Sequence, residues 1–136
     1  MANKPNLIPL AMLVCDTVIE DKRTNKKSLI GLFDNIFTSK LPCTHPRLNV
    51  FIVLTEGNGD YNCALKCVSE DTNKSLIELQ GKIQSQNPQQ KVEMNFEIIG
   101  LRFNDYGNYR FDFYCNDNLL ISRKFLLKEV NMNPKG

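Results

Sequence analysis

The chain has 136 residues, the size of one domain, and at this length folding removes roughly two thirds of the unfolded chain's surface from water, enough for a core without metal or disulfide staples. A hydrophobic fraction of 42% and a charged fraction of 24% exclude a disordered chain, a coiled coil and a fibre. Seventeen basic against fifteen acidic residues leave a net charge of +2, far short of the positive field by which nucleic-acid binders displace counterions, so no nucleic acid is expected as a partner.

The opening MANKPNLIPLAMLVCDTV holds two prolines and an apolar part that runs into Asp16, so it lacks the form of an export signal. Leu10 to Glu20 and Ser28 to Thr38 are joined by the charged DKRTNKK, Asp21 to Lys27, and read as a long opening hairpin with a solvated tip. Pro42 and Pro46 then mark an irregular crossing. LNVFIVL, Leu48 to Leu54, is apolar on both faces and predicts a strand covered from both sides, near the centre of the fold.

Turn signals EGNGD and EDTNK bound the next two strands, YNCALKCVS and SLIELQGKI, and QSQNPQQ, Gln84 to Gln90, is a loop. VEMNFEII alternates with period two, Val92, Met94, Phe96 and Ile98 against Glu93, Asn95 and Glu97. YRFDFYC does the same with Tyr109, Phe111, Phe113 and Cys115 inward, and NDN turns it into LLISRKFLLKE.

About eight strands and little helix follow. A single open sheet of that size leaves one face of many aliphatic and aromatic residues wet. The expectation is therefore all-β, a two-sheet antiparallel β-sandwich, immunoglobulin-like or jelly-roll-like. Residues 1–136 read as one domain with flexible ends at 1–8 and 131–136. No apolar run reaches the roughly 18 to 20 residues that span a bilayer, so a cytoplasmic protein without membrane partners is expected. The five cysteines (Cys15, Cys43, Cys63, Cys67, Cys115) are odd in number and scattered, which fits reduced thiols packed as small hydrophobes. Cys63 and Cys67 lie roughly 13 Å apart along a strand and can share neither a metal nor a bond.

Cys15 and Asp16 in the first strand, KSLIGLFDNIF (Lys27 to Phe37), Pro42, His45 and Pro46 before a hydrophobic strand, and Gly107, Tyr109 and Phe111 near the end together resemble a family of small uncharacterised bacterial proteins, a domain of unknown function. The resemblance runs from about Leu10 to Val130. It implies a compact all-β domain of bacterial origin and supplies no established activity, substrate or cofactor.

Two aspartates interrupt apolar strands. With a hairpin tip centred near residue 25, Asp16 falls opposite or diagonal to Asp34, and such a pair either shares a proton or cation or serves the backbone. Asn35 beside Asp34 suits a backbone role at a bulge or strand end. His45 is the one histidine, which argues against His-rich metal sites; with Cys43 and Arg47 it marks the place where an enzyme site would have to lie. No phosphate-binding or nucleophile-elbow motif is present.

The sequence thus predicts a non-catalytic binding or protein-interaction module needing no cofactor. Asp16, Asp34, Asn35, His45 and Arg47 are its candidate ligand or partner residues. The competing readings are a small-ligand or cation-binding domain using Asp16 and Asp34, and an enzyme with its site between Cys43 and Arg47. The partner is an unidentified protein, or a second copy joined through a sheet edge.

Overall fold

The computed structural model describes residues 7–130. Its nine strands are β1 (Ile8–Glu20), β2 (Lys27–Leu32), β3 (Asn35–Thr38), β4 (Cys43–Thr55), β5 (Gly59–Ser69), β6 (Ser75–Ser85), β7 (Val92–Phe103), β8 (Gly107–Cys115) and β9 (Asn118–Glu129). They form a four-stranded sheet in the order β2-β1-β4-β7 and a five-stranded sheet in the order β3-β9-β8-β5-β6. Among the described residues no helix is long and apolar enough to cross a membrane.

The period-two strands supply the core as their patterns predict. Tyr109, Phe111, Phe113 and Cys115 of β8 are buried, and so are Phe96 and Ile98 of β7. Phe125 of β9 lies amid Phe103, Tyr109 and Phe111 with ring centroids 4.9 to 6.0 Å apart. Each such ring removed from water contributes about 1.5–3 kcal/mol before edge and stacking terms are added.

β4 is buried on both faces from Leu48 to Ile52. Leu48, Val50 and Ile52 join the core between the sheets. Asn49 and Phe51 point the other way and are still 3% and 5% exposed. The opening hairpin reaches this face, and Asn49 bonds there to the Asp16 carbonyl and to Asn95. Lys27 of β2 binds Glu93 of β7 at 2.6 Å although β2 and β7 are opposite edges of one sheet, and Arg47 of β4 reaches Thr17 of β1. The distal hairpin therefore curls across the outer face of its own sheet.

Three expectations are corrected. Ser28 to Thr38 is two strands, which brings the count to nine: Phe33 N–H still donates to Val14 of β1, but the carbonyl of Asp34 already accepts from Leu126 of β9, so the chain changes sheet within one residue. β3 then runs parallel to β9, so the five-stranded sheet is mixed rather than antiparallel. The crossing marked by the prolines is also shorter than expected, because β4 begins at Cys43, after a cis Leu41–Pro42 peptide. Residues 1–6 and 131–136 of the ends expected to be flexible lie outside the described residues, whereas Leu7 is buried and Ile8 opens β1.

Candidate functional site

Asp16 sits where β1 and β2 separate from the rest of their sheet. The hairpin register pairs Glu20 with Lys27 and Thr17 with Ile30, which puts Gly31 opposite Asp16. Asp34 is three residues further on. The turn is centred between Arg23 and Thr24 rather than near residue 25, helped by Asn25 in the left-handed region, and this shift separates the two aspartates. Gly31 has φ +76°, and a Cβ there would collide with Asp16 Oδ2, so the carboxylate lies directly over bare backbone.

His45 reaches the same place from β4. It pairs with Leu101 of β7, and two residues later Arg47 pairs with Ile99. Leu101 is buried while Ile99 is 71% exposed, so the strand pair changes phase around Pro46 and Gly100, the latter at φ +70°. That change turns His45 toward the interior edge and leaves Arg47 on the outer surface. The imidazole packs against Phe33, with centroids 5.9 Å apart. Burial holds its pKa below the ordinary value, and the nearby Asp16 charge offsets this in part.

Asp16, Gly31, Leu32, Phe33, Asn35 and His45 line an open groove of about 350 Å³, together with Ile36 and Phe37. The Asp16 carboxylate has no hydrogen-bond partner among the described residues, although its backbone carbonyl accepts from Asn49 at 2.9 Å. Of the lining, Leu32 and Phe37 are 60% and 58% exposed, and Ile30, two residues before Leu32 on the same strand, is 50% exposed. All three lie on β2 or β3, each the edge of its sheet with one neighbour, so backbone groups along one side of both strands are open.

Of the five residues the sequence pointed to, the structure gathers Asp16, Asn35 and His45. Asp34 turns outward to accept from Arg123 Nη2 of β9 at 2.8 Å and takes no part in the groove. Arg47 lies on the outer face between Thr17 and Glu97. The pairing of Asp16 with Asp34 on which a cation site depended is thus not formed, and among the described residues no group of three or more His, Cys, Asp or Glu could hold a metal ion. Gly31, Leu32, Phe33 and Phe37 were not singled out in the sequence. Gly31 carried the one usable signal, a glycine within an otherwise apolar strand.

These features define a two-sheet β domain with an open, chemically mixed groove at its strand edges and, among the described residues, no metal-ligand cluster. The chain belongs to the family of unknown function DUF6941, whose model matches residues 10–128. No curated protein matches the chain. Among solved structures it is similar to an immunoglobulin-like protein from Pseudomonas aeruginosa, at 15% identity over 90% of this chain and 96% of that one, with a TM-score of 0.40.

Proposed function

We propose that the domain is a non-catalytic binding module of the bacterial cytoplasm that takes an extended segment of another protein along the β2–β3 edge. The observation that carries this reading is the coincidence of two open strand edges with the exposed Leu32 and Phe37 in one groove, and with Ile30 exposed beside it on β2. Strand addition uses both features: the open backbone groups provide hydrogen bonds, and alternate side chains of the guest find apolar contacts. Charge suggests the polarity of the guest. Asp16 favours a basic residue in the groove, and exposed Lys22, Arg23 and Lys26 favour acidic ones near the hairpin tip. The free cysteines agree with a reducing compartment.

Peptides selected on the immobilised domain from a random library test the reading. Leu32→Lys and Phe37→Glu should each weaken a selected peptide by about tenfold or more, as loss of a central anchor does, with an unchanged melting temperature. Peptides held equally well by both variants would place the binding surface elsewhere. A dimer in sedimentation that both variants dissociate would show that the edge serves a second copy.

A further inference from the structure

Away from the groove, Cys63 of β5 and Cys115 of β8 are register partners on neighbouring antiparallel strands. The adjacent pair, Asn62 and Asn116, is hydrogen-bonded, Asn116 N–H donating to the Asn62 carbonyl at 2.8 Å. Alternation along an antiparallel ladder therefore makes Cys63 and Cys115 a non-hydrogen-bonded pair. At such positions Cα atoms lie roughly 4.5 Å apart and side chains are closest, a separation that a disulfide spans. The two sulfurs already stand 2.9 Å apart as free thiols.

From this placement we infer that Cys63 and Cys115 are an oxidation site, closing a cross-strand disulfide when the protein meets a peroxide. We take Cys63 as the attacking sulfur: its contact with Cys115 lowers its pKa, while the pKa of Cys115 is raised by the same contact and by burial. The Cys63 thiolate attacks one oxygen of hydrogen peroxide, the O–O bond breaks, and water leaves after taking up the thiol's proton, giving the sulfenic acid. Cys115 sulfur then attacks the sulfenic sulfur; the S–S bond forms, the S–O bond breaks, and a second water leaves with the Cys115 proton. Two thiols lose two electrons and the peroxide gains them.

Both residues are nearly buried, at 1% and 4% exposed, but Cys115 ends β8 beside a turn in which Asn116 and Asp117 both have positive φ. Fraying at a hairpin end is the cheapest opening a sheet offers, and it admits a small oxidant before a bulky one. Cys67, two residues further along the same face of β5 than the pair's nearest neighbour Leu65, meets Phe111 on β8, so no alternative partner competes across these strands.

The test is a thiol count on the folded, reduced full chain treated with hydrogen peroxide, then denatured and alkylated. The expected result is a fall from five alkylated cysteines to three, a cross-linked Cys63–Cys115 peptide lighter by two hydrogens, and a melting temperature raised by about 5 °C or more that dithiothreitol reverses. In Cys115→Ser, whose hydroxyl keeps a hydrogen bond to Cys63 but cannot resolve it, the sulfenic acid on Cys63 should accumulate and be trapped by dimedone. Five alkylated cysteines after treatment, a cross-link between other cysteines, or no trapped adduct on a folded Cys115→Ser would each overturn the assignment. The wild-type measurement decides the matter even where the variant does not fold.

Discussion

Asp16 shows how a single residue can be conspicuous in a sequence for one reason and matter in the fold for another. Its acid in an apolar strand was legible, but its neighbour was not, because a shift of the turn centre by one and a half residues exchanges Asp34 for Gly31 as the cross-strand partner. Gly31→Ala should cost about 1–3 kcal/mol in urea unfolding, from a left-handed φ together with the collision on the carboxylate. Asp16→Ala in the same chain should recover the collision and leave the backbone strain, so the two changes should not add. His45 offers a cleaner signal as the single histidine. Burial makes the folded state bind the imidazole proton more weakly than the unfolded chain does. Its contribution to stability is therefore full above the ordinary value of 6.5 and is lost as pH falls through the lower folded-state pKa. NMR titration should find one imidazole titrating below the usual range, and Asp16→Asn should lower it further by removing the charge that opposes burial. His45→Phe should flatten the fall in melting temperature between about pH 7 and pH 5.

Among the elements, strands with strict alternation were readable because each has one dry face; the first half of β7 needed nothing more, nor did β8 apart from Asp112. The errors fall where the chain changes partners. Nothing local in LFDNIF tells a continuous strand from one that leaves β1 at Phe33 and joins β9 at Asp34, since both are extended and the choice is made by β9, almost ninety residues away. The phase change at Gly100 is of the same kind: sequence marks the glycine, while only the paired strand shows that Ile99 faces out and Leu101 in. β8 also carries a charge that alternation assigns to water. Asp112 faces out of the five-stranded sheet yet is 1% exposed, held by Arg110 Nε at 2.9 Å and Ser122 Oγ at 2.6 Å, with Glu70 completing the cluster through Arg110 and Lys124. Asp112→Ala should destabilise the protein by about 2–3 kcal/mol in denaturant unfolding, since it removes charge-assisted bonds and strands their donors. A loss under about 0.5 kcal/mol would show the cluster to be ordinary surface.

At the scale of the molecule, composition and period identified an all-β domain of two packed sheets, and the packing of aromatic rows between them is what the alternation demanded. What it could not supply was the curl of the hairpin over the outer face, which needs Lys27 and Glu93 to meet across the full width of a sheet. At the β2–β3 edge, open backbone, apolar side chains and the Asp16 carboxylate occur together. The β7 and β6 edges are the alternatives in the same molecule. The most direct measurement is amide hydrogen exchange of the full chain with and without a peptide selected on it. The account predicts slowed exchange confined to Lys27–Thr38 and the groove around Asp16 and His45; protection along β6 or β7 with an unchanged β2–β3 edge would contradict it.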